Sequence, residues 1–298
     1  ILSLDNLYQA WDEVRANKGA AGADRITLAR FERRLELNLL HLAERAETGQ
    51  YQPGKVRMVS INTGRKRRQI AIWCVADRVL QRAVLQVLEP IYENMFLPTS
   101  FGYRPGRSVA DAVQRVLHLR DRGLTWVVDS DIRDCFGSFD HELLMSLLRR
   151  HITDQDLLDL FASWLCRGRP RPLRRASLPR GISLGAVVSP LLCNIYLHQL
   201  DLGLRRERLQ AVRYADDFIV LCPTRQDRDH ALAIVRGLLD PIKLELNADK
   251  TRLTSFEEGF SFLGVTFKDT KYWYQWYGKT VEGRDMGETF PLEVDGYP

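Results

Sequence analysis

The sequence lacks the features that mark membrane and secreted proteins. None of its 298 residues lies in an apolar run near the roughly 18 residues that a membrane-spanning helix needs, and no secretory signal opens it. Its five cysteines are widely separated and form no CxxC pair and no Cys/His metal spacing. We therefore expect free thiols in a reducing cytosol, with no disulfide framework and no membrane partner.

The sequence also lacks repeats, low-complexity tracts and an obvious flexible linker. Its positive charge is mostly arginine, and 43 Lys and Arg residues against 38 Asp and Glu residues leave a net charge of +5. Arginine pairs bidentately with phosphate, and the pairing releases counterions from nucleic acid. The balance therefore suits a phosphate-rich partner, although charge alone is weak evidence.

Helical periodicity is present in the first 123 residues. The apolar stripe Leu28, Phe31, Leu35, Leu39 and Leu42 predicts a helix from about residue 27 to residue 49. A basic hairpin is predicted over residues 56–72, with its turn at 62–64. A second helix should run from residue 77 to 89 and stop at proline 90. The spacing of serine 108 and aspartate 111 predicts a capping box for a third helix.

The second half of the chain shows both the helical periodicity and the two-residue alternation of strands. Residues 125–132 are typical of a strand that ends in acids, and residues 211–222 of a strand–turn–strand. Helices are predicted over 140–151, 157–166, 189–205 and 227–239, with closing strands up to 267. Residues 167–180 hold six arginines and three prolines, which indicates a basic loop. Helices on one face of an antiparallel sheet define the α+β class.

Two sets of carboxylates are candidates for metal binding. Asp129 and Asp131 are two apart on a strand and share one face, whereas Asp216 and Asp217 lie at the tip of a tight hairpin. Transfer of a phosphoryl group between oxygens uses two divalent cations held by carboxylates. Paired aspartates in a turn are also common without any metal, so the residues alone leave both interpretations open.

Ordered motifs carry a resemblance to a known family. They lie at residues 17–24 (NKGAAGAD), 101–108 (FGYRPGRS), 131–136 (DIRDCF), 185–194 (GAVVSPLLCN), 214–217 (YADD), 246–251 (LNADKT) and 262–264 (FLG). In this order they resemble the reverse transcriptase domain of the group II intron family and its bacterial relatives. The resemblance implies a right-hand polymerase with fingers and palm that copies an RNA template from a DNA or RNA primer with dNTPs.

The resemblance also implies the catalytic metal site. It assigns Asp131, Asp216 and Asp217 as catalytic ligands, with Ile132 beside them in the metal set. Two Mg²⁺ ions are the expected cofactor, with Mn²⁺ as a substitute. Asp129 then becomes a residue that supports the ligands without binding the metal.

The resemblance further assigns residues to the nucleotide and to the nucleic acid. Phe136 should pack against the sugar of the incoming nucleotide, although an ordinary core phenylalanine is the alternative. The full nucleotide set is Lys66, Arg68, Phe136, Leu184, Gly185 and Lys250. The nucleic-acid set is Arg104, Arg107, Arg169, Arg171, Arg174, Arg175 and Tyr214. For the charged members, a solvated basic surface is the alternative.

Three departures from the family pattern stand out. Ser183-Leu184-Gly185 replaces the usual Pro-Gln-Gly, and Gly137 replaces an acid that often follows the aromatic. After residue 267 no thumb-like sequence follows. The aromatic segment 272–277 is expected to stack on bases, to dock on a partner, or to form an edge strand packed on the palm.

The resemblance predicts the domain organisation and the biological context. Fingers are expected at 1–106 and 139–188, palm at 107–138 and 189–267, and a tail or connector at 268–298. The first residue is not Met, which fits a piece of a longer polypeptide from the prokaryotic cytoplasm. CRISPR adaptation proteins or a fused domain are candidate partners. The competing functions are a nucleic-acid-binding scaffold for a partner integrase or antiviral effector, with weak or no polymerase activity, and an RNA-dependent RNA polymerase.

Overall fold

A computed structural model describes residues 1–63, 66–167, 180–276 and 279–283. Its contacts divide the chain into two compact units. The first unit comprises residues 1–95 and 136–196, and the second comprises residues 96–135 and 197–298. Each unit therefore contains two separate stretches of the chain.

The described ranges contain both α-helices and β-strands. The helices are α1 (Leu4–Ala16), α2 (Leu28–Glu32), α3 (Leu35–Glu47), α4 (Val75–Glu93), α5 (Val109–Asp121), α6 (Cys135–Ser138), α7 (His141–Arg149), α8 (Gln155–Arg167), α9 (Ser189–Arg206) and α10 (Arg225–Leu239). The strands are β1 (Arg57–Thr63), β2 (Lys66–Ile72), β3 (Trp126–Asp131), β4 (Gln210–Tyr214), β5 (Asp217–Cys222), β6 (Arg252–Ser255), β7 (Phe260–Phe262), β8 (Val265–Lys268), β9 (Lys271–Trp276) and β10 (Lys279–Gly283). The predicted α+β class is confirmed.

Helix α1 is an element that the sequence analysis missed. It buries Leu7, Ala10, Trp11 and Val14, and it packs against α4. These four positions have the three- and four-residue spacing of an amphipathic helix, so the signal was present in the sequence. The first unit also contains the predicted basic hairpin, in which β1 and β2 pair in antiparallel register.

The single helix predicted over residues 27–49 is wrong, because the structure has two helices. Helix α2 ends at Glu32 and α3 begins at Leu35, with Arg34 in a non-helical conformation between them. The side-chain amide of Asn38 donates to the Phe31 carbonyl across this break, at 2.7 Å. The Phe31 ring stacks on Trp11 at 5.3 Å. The break therefore lets Phe31 pack on α1 independently of the direction of α3.

The predicted helix end at Pro90 is also wrong. Helix α4 continues through Pro90 to Glu93. An interior proline costs about 3 kcal/mol because it removes a backbone donor and crowds the preceding turn. Burial beyond the proline opposes that cost: Tyr92 is 2% exposed and meets the His151 ring edge-on at 5.9 Å. Tertiary packing therefore overrides the local stop signal.

The second unit is built on an antiparallel sheet with strand order β4-β5-β3-β6. Helix α5 packs on β4, and α10 packs on β3 and β5. The capping box predicted for α5 is confirmed: the Ser108 hydroxyl accepts from the Asp111 amide, and the Asp111 carboxylate accepts from the Ser108 amide. Residues Phe218 to Cys222 of β5 are all buried, so this central strand is covered on both faces of the sheet.

A second four-stranded sheet, of order β10-β9-β8-β7, completes this unit. Strand β9 pairs with β8 on one side and β10 on the other, so the expectation of an edge strand for the aromatic segment is wrong. Tyr272 and Tyr274 are buried in the same apolar cluster as Phe101, Val212 and Phe267. These two rings are therefore core residues. Across the described ranges, no helix combines the length and the apolar character needed to cross a bilayer.

Candidate active site

The acidic hairpin is formed by strands β4 and β5, with Tyr214 paired to Asp217 and only Ala215 and Asp216 between them. Ala215 has a φ of 57°, the left-handed value that two-residue hairpin loops require. The flanking positions Ala211, Val212 and the run from Phe218 are buried. The apolar strands therefore fix the hairpin in the core and place two consecutive aspartates at its tip.

Gly102, in the predicted FGYRPGRS motif, lies directly behind this tip. A β-carbon on Gly102 would clash with the Ala215 nitrogen and would lie 2.9 Å from the Tyr214 carbonyl carbon. The preceding residue, Phe101, donates its amide to the Arg213 carbonyl at 2.8 Å. The segment around residue 101 therefore supports the hairpin from behind, and the motif needs glycine because there is no room for a side chain.

Arg213 connects the hairpin to the rest of the unit, and its side chain is fully buried. Its guanidinium makes a bidentate ion pair with Asp201 of α9, at 2.8 and 2.6 Å. It also donates to the Ala215 carbonyl at 2.8 Å and to the Ser100 hydroxyl at 2.7 Å. A buried guanidinium with all these partners holds the turn in one geometry. The sequence analysis did not identify this residue.

Asp131 ends β3 directly opposite Asp217 of β5. Its backbone carbonyl accepts from the Asn247 amide at 2.8 Å, and its Oδ2 accepts from the Asn247 side chain at 3.2 Å. Lys250 places its Nζ 2.7 Å from Oδ1 of Asp131. Ile132, which follows, is buried and forms a β-bridge to Leu246. The structure thus brings Asp131, Asp217 and Lys250 together, and Asn247 is a contact that the sequence analysis missed.

Asp129 lies two residues before Asp131 on β3 and is half-buried. Burial raises the pKa of the Asp129 carboxyl to about 6; nearby Arg252 acts in the opposite direction, and the negative charge of Asp131 adds to the increase. A cavity of about 610 Å³ opens beside Asp129, Asp131 and Asp217, and is also lined by Lys250, Arg252, Lys268 and Trp273. Acidic and basic groups therefore share one open cavity.

The donor set fits a divalent cation of the hard, oxygen-binding type. Mg²⁺ in phosphoryl-transfer sites is bound by one or two carboxylates and is completed by waters and substrate phosphates. Asp131 and Asp217 supply two such carboxylates on opposed strand positions, with Asp216 next in sequence. Among the described residues, no three His, Cys, Asp or Glu side chains are grouped closely enough to hold a metal by themselves. Substrate ligands would complete this site.

Phe136, Leu184 and Gly185 of the predicted nucleotide set lie in described parts of the first unit. The amide of Ile182 donates to the Phe136 carbonyl at 2.7 Å, and the Phe136 ring is half-buried, 6.0 Å from that of Phe139. Leu184 is 40% exposed, and its carbonyl accepts from the Ala71 amide at 2.8 Å. Gly185 has a φ of 108° and abuts the Ala71 carbonyl so closely that a side chain would clash. Leu184, which replaces the usual glutamine of the family, is thus a solvent-facing side chain beside β2.

Lys66 and Arg68, the remaining members of the nucleotide set in this unit, belong to strand β2. Their backbones pair with Thr63 and Ile61 of β1. Their side chains lie outside the part of the chain that the structure describes. Arg169, Arg171, Arg174 and Arg175 also lie outside the described residues.

Arg104, a member of the predicted nucleic-acid set, lies in the interior of the second unit. Its side chain is buried, donates to the Leu97 and Ser100 carbonyls at 2.7 and 2.6 Å, and lies 5.4 Å from the centre of the Phe96 ring. A guanidinium used in this way stabilises the loop. Arg107 is half-buried over the Phe101 ring at 5.6 Å. Tyr214 is half-buried at the end of β4, and burial raises the pKa of its hydroxyl.

Comparison with known proteins identifies the fold. Telomerase from Candida tropicalis, truncated from its C-terminal domain, superposes with a TM-score of 0.53 at 13% identity, over 78% of this chain and 58% of that chain. A Cas6-RT-Cas1--Cas2 complex aligns at 26% identity over 80% of this chain and 41% of that chain, with a TM-score of 0.48. The fold of this chain is therefore similar to that of the telomerase structure.

Sequence comparison then defines the family. Residues 54–267 match the family described as "Reverse transcriptase (RNA-dependent DNA polymerase)". Protein YkfC of Escherichia coli K12 is 33% identical over 84% of this chain and 76% of its own length. The group II intron-encoded protein LtrA of Lactococcus lactis subsp. cremoris is 33% identical over 67% of this chain, but over only 34% of its own length. The chain belongs to the reverse transcriptase family, and within that family it is of the group II intron-like type.

Proposed function

We propose that this chain catalyses RNA-templated DNA synthesis by adding dNTPs to the 3′ end of a primer. The observation that carries the proposal is the position of Asp131 directly opposite Asp217, with Asp216 at the tip of the same hairpin. Membership of the reverse transcriptase family supports RNA as template and deoxynucleotides as substrate. Buried neighbours fix both strands, so the carboxylates are organised before substrate binds.

In this proposal Asp131, Asp216 and Asp217 hold two Mg²⁺ ions. The ions supply stabilisation of the negative charge that develops on the attacking and leaving oxygens of the phosphoryl group. Asn247 orients the Asp131 carboxylate through its side-chain amide. Lys250 neutralises the same carboxylate and is suitably charged to meet a triphosphate.

We assign the first unit to the fingers and the second unit to the palm. Two observations support the assignment: the basic hairpin β1–β2 belongs to the first unit, and all the acidic ligands belong to the second. In the fingers, Phe136, Leu184 and Gly185, together with Lys66 and Arg68, form the proposed nucleotide-binding set. We group Leu184 and Gly185 with Lys66 and Arg68 because the 184–185 segment contacts Ala71, which lies on the same strand, β2.

The competing function is a nucleic-acid-binding scaffold that performs no chemistry. Primer extension on a defined RNA template separates the two, with dNTPs or rNTPs and with Mg²⁺ or Mn²⁺. We expect extension with dNTPs and Mg²⁺ that stops when EDTA is added. A folded chain that binds the primed template but extends it under none of these conditions would establish the scaffold function instead. Extension with rNTPs in preference to dNTPs would indicate an RNA polymerase.

The biological partner is a separate proposal. We retain CRISPR adaptation proteins, or a domain fused to this chain, as candidate partners of a prokaryotic reverse transcriptase. Co-expression with a Cas1–Cas2 adaptation integrase, followed by affinity purification of this chain, tests the first candidate. Recovery of this chain without the integrase would exclude a stable complex of that kind.

A further inference from the structure

The break between α2 and α3 forms the wall of a cavity in the first unit. This cavity, which we call the α2–α3 pocket, has a volume of about 540 Å³. Its lining residues are Asp24, Ile26, Arg30, Phe31, Arg33, Arg34, Asn38, His41, Leu42, Arg45 and Ala76. None of them belongs to the metal, nucleotide or nucleic-acid sets described above.

The α2–α3 pocket is strongly basic. Arg30 comes from α2, Arg33 and Arg34 from the break, and Arg45 from α3, so arginines from three segments converge on one concavity. On a continuous helix, positions 33 and 34 would lie about 100° apart and diverge. In the part of the chain that the structure describes, Arg30, Arg33 and Arg34 form no ion pair with an acid. Concave surfaces lined by one sign of charge concentrate the potential and attract the opposite charge.

The acidic and polar groups of the pocket leave most of this charge uncompensated. Asp24 is the one carboxylate among the lining residues, and its Oδ1 already accepts from the Ile26 amide at 3.0 Å. Arg45 donates to the Gln50 carbonyl at 3.3 Å, a neutral partner. His41, the other ring among the lining residues besides Phe31, is exposed and carries no negative charge. Four arginines against one carboxylate define an anion-binding cavity.

The floor of the pocket is apolar. Phe31 and Leu42 are 5% and 6% exposed, and Ile26 and Ala76 lie beside them. A nucleotide unit has the matching character, because its phosphate is anionic and its base and sugar present weakly polar faces. A duplex is convex, with its bases stacked inside, and cannot enter a cavity of this kind. A single strand can place one or two nucleotides there.

We propose that the α2–α3 pocket binds single-stranded RNA, with Arg30, Arg33, Arg34 and Arg45 on the phosphates and the apolar floor under a sugar or base. This site goes beyond the polymerase function, because it needs no metal and takes no part in bond formation. Its residues belong to the first unit, whereas the acidic hairpin belongs to the second. The chemistry it recognises is a chain of phosphodiesters.

The test uses charge reversal with a matched control. The variant Arg33→Glu/Arg34→Glu changes the net charge by the same amount as Arg205→Glu/Arg206→Glu, an exposed adjacent pair at the end of α9 that lines no described cavity. Binding of a labelled 12-nucleotide single-stranded RNA is measured by fluorescence anisotropy over a series of salt concentrations. We expect the pocket variant to bind at least tenfold more weakly, with a salt slope smaller by about 1.4, since each single-strand phosphate contributes about 0.7.

The control pair should leave affinity and slope close to those of the unmodified chain. Equal losses in both variants, or no loss in the pocket variant, would overturn the proposal. If Arg33→Glu/Arg34→Glu alters the circular dichroism spectrum, Arg33→Gln/Arg34→Gln replaces it; it loses the same two phosphate contacts and should lower the slope by about the same 1.4, with a smaller loss of affinity because it adds no negative charge. Inorganic tripolyphosphate is titrated in parallel; if its binding depends on the two arginines and that of RNA does not, the pocket takes free polyphosphate and the RNA proposal fails.

Failure of this proposal is distinguishable from failure of the polymerase proposal. Asp131→Asn should block primer extension and leave RNA affinity unchanged, because its carboxylate lies outside the α2–α3 pocket. Arg33→Glu/Arg34→Glu should weaken RNA affinity, and saturating RNA should restore extension. A pocket variant whose extension stays lost at saturating RNA would place these arginines in catalysis, which contradicts the proposal.

Discussion

At the scale of single residues, the Asp131 carboxylate is held by two neighbours that leave it able to bind a metal ion. Both oxygens of Asp131 already accept one contact each, from Lys250 and from Asn247. A carboxylate has about four lone-pair positions, so each oxygen can accept a second ligand without losing the first. Asn247 therefore orients the carboxylate for a metal and does not compete with it.

Asp131→Asn and Asp217→Asn should each abolish primer extension and leave RNA affinity unchanged. The amide removes the charge that holds the cation, and with it several kcal/mol of transition-state stabilisation, but little ground-state binding. The measurements are single-turnover extension and anisotropy with primed RNA. Asp156→Asn, at an exposed carboxylate of α8, is the control and should keep full activity. Substantial extension by both site variants would show that the cation is held elsewhere.

Phe136→Ala should allow ribonucleotides into the site if the ring restricts the space around the sugar. The ring is half-buried and next to Phe139, so its removal opens volume without emptying the core. The quantity to compare is the ratio of kcat/KM for a dNTP to that for the matching rNTP. We expect the ratio to fall at least tenfold. A ratio equal to that of the unmodified chain would make Phe136 a packing residue.

Gly102→Ala should impair catalysis more than stability. The added methyl group meets backbone atoms of the turn at Tyr214 and Ala215, which cannot rotate away as a side chain could. The turn must shift, and the aspartate after it shifts as well. We expect primer extension to fall at least tenfold with a modest decrease in Tm. Gly237→Ala is the control: that position in α10 has open space, so alanine should be neutral or stabilise by up to about 1 kcal/mol.

At the scale of elements, the β4–β5 hairpin depends on a buried ion pair for its position. Arg213 and Asp201 are 1% and 2% exposed, and the guanidinium also holds the Ala215 carbonyl. A buried pair of this kind contributes little net stability compared with apolar residues of similar size. Its contribution here is geometric, because the same guanidinium reaches α9, the loop at Ser100 and the turn.

Arg213→Met should destabilise the protein by about 3–5 kcal/mol, because it leaves the Asp201 charge buried without a partner. The double variant Arg213→Met/Asp201→Leu should recover most of that loss, since it removes both charges. Primer extension should stay low in the double variant, because the Ala215 carbonyl still lacks its donor. Urea unfolding and single-turnover extension, measured on the same preparations, separate the two effects. Full activity in a stable double variant would reduce Arg213 to a packing residue.

At the scale of the whole molecule, each unit is assembled from distant parts of the chain. The core of the second unit combines Phe101 and Val113 with Val212 and with Tyr272 and Tyr274 of β9. The strands that follow residue 267 therefore belong to the same core as the acidic hairpin. Loss of packing at one end of this core should therefore alter the packing at the other end.

Tyr272→Ala should lower the free energy of unfolding by about 3–5 kcal/mol, the usual range for removing a large aromatic side chain from a core. Tyr272 is 3% exposed and packs closely against Gly283 of β10. Urea denaturation followed by tryptophan fluorescence measures the change. Gln275→Ala on the same strand removes one exposed hydrogen bond, to Thr280, and should cost less than about 1 kcal/mol. Equal effects of the two substitutions would contradict the core assignment of β9.

The amino-acid sequence by itself determined the elements whose signals are local. The capping box of α5, the basic hairpin and the β4–β5 hairpin follow from spacings of two to four residues, which act wherever the segment is placed. Motif order was sufficient to predict the reverse transcriptase family. The missed helix α1 also carried a local signal in the spacing of its buried residues.

Only the tertiary structure decided the features that depend on distant partners. Helix α4 passes through Pro90 because Tyr92 is buried, and the helix breaks at Arg34 where Phe31 stacks on Trp11. Arg104 turns inward to the carbonyls of Leu97 and Ser100, and Arg213 reaches across to Asp201. A sequence pattern records which residue occurs and at what spacing. It does not record which buried carbonyl or carboxylate will lie within reach after the chain has folded, and that distance decided whether each arginine serves the surface or the core.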